Sequence, residues 1–396
     1  MNNFTSMKKL FKISQKQRVL VVCSQKLTTK SVEQRDRAVI EAEKIVGYPT
    51  SFLNLRWLLN DEVANIASHL KKLIGTKHPL VHTARELLLN KEVPSWGLIV
   101  LLISKAGGLR TKFSHLDCDI NAGILHTQRV LAEITEMVRT SNIIHKSVLN
   151  ITTEDEFQED LHFGNKLSLL TGDYLLSNSF RELAALKCHP VNELVSTALR
   201  DLVEATFIEP RDKQNRPVPA SPLSEQQKML VPHEYEKDLL QLSDVLGNAK
   251  AEWTLRHLLD GASLLGKCCQ AALMLADHSE TLEKSAYIFG RNIALALQIK
   301  KDISQISTSQ TGPFSLINAP LMYHLQDCPD FYIDLMKDVE SDDINYDRIR
   351  NVVSRSKGTA KALELQAEFV VNGKAALNEF SDNSAKNALV KILEAM

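Results

Sequence analysis

The chain has 396 residues with 47 basic and 48 acidic side chains, a balance that argues against bulk nucleic-acid binding, which shows as a basic excess. Only 15 glycines occur, and β-branched runs are confined to short pieces such as RVLVV (18–22) and LIVLLI (98–103), so the composition is helical. Cys23, Cys118, Cys188, Cys268, Cys269 and Cys328 lack C-x-x-C spacing, which suggests neither a zinc site nor a disulfide framework and fits a reducing compartment. No apolar run reaches the roughly 18–20 residues needed to cross a bilayer, so the expectation is a protein that is soluble or at most peripheral to a membrane.

Residues 1–32 hold Lys8, Lys9, Lys12, Lys16, Arg18, Lys26 and Lys30, and no acid occurs before Glu33. Phe4, Met7, Leu10 and Phe11 form an apolar stripe between the lysines, the pattern of a mitochondrial (matrix) transit segment; a disordered basic tail is the alternative. From residue 33 to 396 helical periodicity dominates. In 124–150, Ile124, Val130, Leu131, Ile134, Met137, Val138, Ile144 and Val148 recur at three and four, which predicts one long helix. Similar stripes occupy 59–74, 163–187, 191–208, 253–278, 284–304 and 346–380. The Pro-rich stretch 209–232 holds five prolines and reads as a mobile surface loop, because helices of one type resume on both sides. One all-α domain is expected over 33–396.

A helical bundle doing metal-assisted diphosphate chemistry needs carboxylates one turn apart on facing helices, so that Mg²⁺ can bridge to phosphate oxygens. At KSVLN (146–150) the spacing is right and the chemistry is wrong, because Lys146, Ser147 and Asn150 stand where acids would be. At KDISQ (301–305), Lys301 and Gln305 take the outer positions and only Asp302 remains. Lysines at these positions repel a dication rather than attract it.

IIHKSVLN (143–150) followed by FGNKLSLLTGDYLL (163–176), and LQIKKDISQ (297–305) preceded by GKCCQAA (266–272), resemble the trans-polyprenyl diphosphate synthases in order and type over roughly residues 38–395. The resemblance implies a single-domain, isoprenoid-synthase-like helical bundle. Lys267 and Gln298 fall on the family's diphosphate-contacting pattern and are expected as residual diphosphate contacts, with Cys268 where a threonine is usual. The departures are systematic. VPSWG (93–97) carries no cation where the family binds homoallylic diphosphate, EDEFQED (154–160) replaces an Arg-Arg-Gly, and Arg139 replaces a histidine. No Lys or Arg lies between Lys301 and Lys337, where lysines usually cover the phosphates.

EAEKIVGYPTSF (41–52), LISKAGG (102–108) and LAEITEM (131–137) resemble a degenerate branch of the family whose members serve as the auxiliary subunit of decaprenyl-diphosphate synthases. That likeness implies a non-catalytic subunit without its own metal or cofactor. It would pair with a catalytic synthase chain holding Mg²⁺, in a heterotetramer that makes the side chain of ubiquinone. The expected partner interface is the helical stretch 163–208, including Gly164, Asn165, Lys166, Gly172, Asp173 and Tyr174. A different class of reading is a stand-alone, metal-independent isoprenoid-diphosphate-binding protein that uses Lys146, Lys267, Lys300 and Lys301 as a clamp.

Other acidic and nucleophilic features have structural explanations. Asp343 and Asp347 in SDDINYD (341–347) are expected as helix-start partners, and EDEFQED as a solvated loop or helix start. His145 is expected to pack or cap, and Cys268 and Cys269 to be small core residues. No nucleophile-elbow, phosphate-loop or dinucleotide fingerprint occurs.

Overall fold

A computed structural model describes residues 37–47, 73, 78–89, 94–110, 120–121, 123–152, 158–223, 245–307 and 310–396. The transit segment, most of the 59–74 stripe, residues 154–157 and the 224–232 part of the Pro-rich stretch lie outside the described residues.

The described chain is helical apart from a two-stranded hairpin, β1 (Ile120–Asn121) with β2 (Ile124–Leu125). Helix α1 spans 37–46, followed by α2 (Pro79–Leu89), α3 (Trp96–Gly107), α4 (His126–His145), α5 (Gln158–Ala185) and α6 (His189–Glu204). Then come α7 (Ala249–His257), a π-turn at Leu258–Ala262, α8 (Ser263–Leu275) and α9 (Glu280–Ile306). The C-terminal part is α10 (Ala319–Asp327), α11 (Pro329–Glu340), α12 (Tyr346–Val353), α13 (Gly358–Ala376) and α14 (Ser384–Glu394).

Helix α8 is the centre: it packs on α9, α6, α3 and α4, while α13 covers another side of α9 and α5 pairs with α4. Capping residues set the entries. Ser95, Asn248, Ser279, Asn318, Asn345 and Asn383 each accept a hydrogen bond from a backbone N–H of the first turn they precede.

LIVLLI (98–103) is the buried middle of α3, its side chains enclosed on all sides by α4, α8 and α14. Each of these aliphatic side chains contributes about 1.5–3 kcal/mol through burial. The 346–380 stripe is two helices, α12 and α13, broken at residues 354–357. Ala249–Leu275 is long and apolar enough to cross a membrane by composition, yet 67% of its apolar window is buried, as befits the central helix of the bundle.

A second apolar cluster caps the end of α9. Ile306, Phe314, Leu316, Leu321, Leu325, Leu335, Val339, Ile349 and Val353 gather there with Val218 from the Pro-rich stretch. That stretch is pinned rather than loose over 208–223. Arg256, 5% exposed, donates to the carbonyls of Ile208 (3.0 Å) and Glu209 (2.9 Å) and is itself held by Glu252 at 2.9 Å.

Candidate functional site

The first motif segment does not lie on a helix. Helix α4 ends at His145, Lys146 caps it, and residues 148–150 run on without helical structure, so Lys146 and Asn150 do not share a face one turn apart as the spacing predicts. The reason is tertiary. Asn165 on α5 accepts from the Leu149 N–H (2.8 Å) and donates to the Leu149 carbonyl (2.8 Å), which replaces the bonds a further helical turn would make. Lys146 reaches across to Asp260 on the π-turn and forms an ion pair. Ser147 is buried, with its hydroxyl 2.9 Å from that of Thr83. The Asn150 side chain donates to the Lys213 carbonyl at 2.7 Å.

The second motif segment is helical, near the end of α9, and its one surviving acid points into the core. Asp302 is fully buried and accepts from Trp253 Nε1 (2.8 Å), the Ala319 N–H (2.9 Å) and the Gln298 side-chain amide (2.8 Å). Burial pushes its carboxyl above the usual range, against the opposing pull of His257 and of the three donors. Lys301 is exposed, and the Gln305 carbonyl accepts from Arg350 Nε at 3.0 Å. Magnesium requires several oxygens converging in octahedral geometry. Lys146, Ser147, Asn150, Lys301 and Gln305 do not supply them, and Asp302 is committed to three protein donors, so the residues present do not fit the ion.

The expected diphosphate contacts are also occupied. Lys267 donates to Asp201 at 2.6 Å in a mostly buried pair that Ser263 joins, and Gln298 donates to Asp302 as described. Of the remaining lysines in the proposed clamp, Lys146 is held by Asp260 and Lys300 donates to the Ala395 carbonyl at 2.8 Å. Where the homoallylic diphosphate would be expected, Arg139 lies over the Trp96 ring, 4.7 Å from its centroid, and faces buried Glu136 at 3.8 Å. Glu136 in turn accepts the Gly97 N–H at 2.8 Å, at the start of α3. Trp96 fits because Gly261 lacks a Cβ, which would sit 2.8 Å from the indole edge.

The pairing roles of Asp201, Asp260, Glu136 and Trp96 were not legible in the motifs, although VPSWG and LAEITEM contain Trp96 and Glu136. Their pairing depends on contacts between residues 114 apart (Lys146 and Asp260) and 66 apart (Lys267 and Asp201). The bland expectations hold where they are described. Cys268 and Cys269 are buried, with burial pushing the Cys268 thiol up to about 12, and the His145 ring packs on Gly172 while facing Asp173 at 3.2 Å. Asp347 sits in the first turn of α12, but the cap itself is Asn345 rather than Asp343.

Comparison with known proteins gives the lineage. The all trans-polyprenyl-diphosphate synthase PDSS2 of Rattus norvegicus is 33% identical over 381 residues, covering 93% of this chain and 88% of that protein. The chain belongs to the PDSS2 family of all-trans-polyprenyl-diphosphate synthases. Solanesyl diphosphate synthase 3, chloroplastic/mitochondrial, of Arabidopsis thaliana is 26% identical over 342 residues, covering 82% of this chain and 74% of that protein. Among solved structures, the Caulobacter crescentus polyprenyl synthase complexed with calcium and isoprenyl diphosphate shares the fold, with a TM-score of 0.55 at 16% identity over 87% of this chain and 96% of that one. No protein-family model matches the chain.

In this PDSS2-family chain the α5 motif FGNKLSLLTGDYLL has two faces. Gly164 lies against the His78 ring and Gly172 against the His145 ring, where an added Cβ would come within 2.4 Å and 2.1 Å, and Asn165 holds Leu149. These three expected interface residues therefore serve the chain's own packing. Lys166, Asp173 and Tyr174 are exposed, together with Leu169 (47%), Leu170 (58%) and Phe180 (47%). On the following helix and turn, Val203 and Phe207 are exposed at 57% and 76%.

Proposed function

We propose that the chain is a non-catalytic subunit of a heteromeric all-trans-polyprenyl diphosphate synthase that supports a catalytic homologue carrying the Mg²⁺ chemistry. The observation that carries this reading is that the polar side chains at both motif segments are bound to protein groups in place of a metal or diphosphate. Lys146 goes to Asp260, Ser147 to Thr83, Lys267 to Asp201, and Asp302 to Trp253, Ala319 and Gln298. The clamp alternative is weakened for the same reason, since three of its four lysines are engaged at separate places.

The exposed apolar side chains of α5 and α6, Leu169, Leu170, Tyr174, Phe180 and Val203, favour that face for pairing with the catalytic chain. A like-with-like contact across it would build a heterodimer, and two of these a heterotetramer. A subunit that binds only the folded partner raises the partner's stability by mass action, which gives a chain without chemistry a reason to be kept. The acid-free basic N-terminus supports a mitochondrial matrix location, with which the chloroplastic/mitochondrial destination in the name of the plant relative is compatible, and there the product would become the side chain of ubiquinone.

Co-expression tests the reading. The purified chain alone should give no chain elongation from allylic and homoallylic diphosphates with Mg²⁺, and co-purification with a catalytic homologue should yield activity that neither shows alone. Metal-dependent elongation by the isolated chain would overturn it.

A further inference from the structure

Leu149 and Asn150 are consecutive, non-helical residues, and each is bound at both its N–H and its carbonyl by a side-chain amide from a different direction. Asn165 takes Leu149 at 2.8 Å and 2.8 Å. Gln214 takes Asn150 in the same two-point fashion, accepting its N–H at 2.9 Å and donating to its carbonyl at 2.9 Å. Each amide thus imitates the flank of a neighbouring β-strand. The two holds differ in what stands behind them.

Asn165 is backed by the interior. Buried His78 accepts the Leu80 N–H on Nδ1 at 3.1 Å, which leaves Nε2 as the donor to Asn165 Oδ1 at 3.1 Å. Gln214 sits at the tip of a strap, residues 208–218, whose tip and root are built differently. At the root, Val218 is buried in the apolar cap and Arg256 grips the carbonyls of Ile208 and Glu209. At the tip, Asp212 organises a tight turn by accepting the N–H groups of Gln214 (2.9 Å) and Arg216 (2.8 Å) and the Arg216 side chain (2.7 Å). Lys213, Asn215 and Arg216 around it are exposed.

We propose that the strap is a latch over the former metal segment, with Gln214 and Lys213 as its releasable half and Asn165 as its fixed half. Hydrogen bonds that water can replace have small net worth, whereas the buried root opens only with the bundle, so the tip lifts as a local unit. With the tip down, any ligand or neighbouring subunit approaching residues 146–150 must displace three hydrogen bonds to Asn150. With it lifted, the N–H and carbonyl of Asn150 are free while Leu149 stays held. The latch would operate whether or not the chain pairs with a catalytic homologue.

Amide hydrogen exchange on the full chain, resolved at Leu149 and Asn150, tests this together with limited trypsin digestion after Lys213. Gln214→Ala should speed exchange at Asn150 by about tenfold and tryptic cleavage by a similar factor, with Leu149 still protected and the melting temperature unchanged. Asn165→Ala should speed exchange at both residues. Unchanged exchange at Asn150 in Gln214→Ala would overturn the latch. So would a melting temperature that falls in step with faster exchange at Leu149, because strap and bundle would then open as one.

Discussion

Asp302 is the one acid left in either motif, and its removal separates a structural carboxylate from a catalytic remnant by the sign of the effect. In Asp302→Ala, Trp253 Nε1 and the Ala319 N–H lose their acceptor in a fully buried setting, while half-buried Gln298 can turn toward water. Each stranded buried donor costs about 1–3 kcal/mol, and loss of the carboxylate at the start of α10 adds about 0.3–1 kcal/mol. Removing a desolvated charge offsets part of this, so a net loss of about 2–4 kcal/mol is expected. At a urea dependence of about 3 kcal/mol/M, that moves the unfolding midpoint down by about 1 M. Asp302→Asn keeps one acceptor oxygen and should lose about half as much. An acid kept for metal behaves oppositely: in the metal-free protein its removal relieves the cost of a desolvated charge, and added Mg²⁺ stabilises the parent by mass action. Urea titrations of the parent and both variants, with and without Mg²⁺, decide between them. A midpoint that rises or stays put in Asp302→Ala, or a Mg²⁺-dependent stabilisation lost in that variant, would refute the structural role.

Asp201→Ala strands the Lys267 ammonium, only 15% exposed, and should destabilise by about 3–5 kcal/mol in the same titration, whereas Lys267→Met, which keeps the shape, should cost less. Burial holds the His78 and His324 imidazoles below their usual 6.5, so the native state favours their neutral forms. Stability is therefore fully present above pH 6.5 and is lost as pH falls through 6.5 toward the folded values, at up to about 1.4 kcal/mol per pH unit for each group; melting curves from pH 7.5 to 5 should fall, and His78→Gln should flatten part of the slope. Leu170→Glu with Phe180→Glu changes side chains already 58% and 47% exposed, so the isolated chain should keep its melting temperature but fail to co-purify with the catalytic homologue, and an intact complex would exclude this face. Gly172→Trp is unsuited to that purpose, because the new side chain would meet the His145 ring inside the chain.

The helical class, the stripes that became α5, α6, α7 with α8, and α9, and the loss of the motif acids were legible, because apolar spacing and residue type are local properties. The end of α4 was not. Val148 continues the apolar stripe of 124–144, and nothing near it breaks a helix; the chain leaves the helix because amides at positions 165 and 214 claim the backbone of residues 149 and 150. The LIVLLI run gave no periodic signal either way, since a segment buried on every side loses the periodicity that tells helix from strand. In the 209–232 stretch, five prolines suggested mobility, yet Arg256 and Glu252, a turn apart on α7, pin its first half. The FGNK and GDYLL signatures were found as words without their meaning: Gly164 and Gly172 lie against the chain's own His78 and His145 rings, and Asn165 holds Leu149.

The substitutions also explain one another. Two clusters of carboxylates facing one another without metal repel, and a metal-dependent enzyme tolerates that cost because the ion recovers it during turnover. If the chain is the non-catalytic subunit proposed above, it has no such recovery, and each acid absent from the cluster favours the metal-free fold. Charge reversal goes further than removal. Lys146 pairs with Asp260 and Lys267 with Asp201, so these polar groups are joined across helices. Pairing of this kind also fixes α4 against the π-turn and α6 against α8, the helix that carries the α6 contact into the centre of the bundle. Rigidity at that place is a liability in an enzyme whose product must leave. In the subunit proposed above, the same rigidity would maintain the α5 and α6 surface offered to a partner.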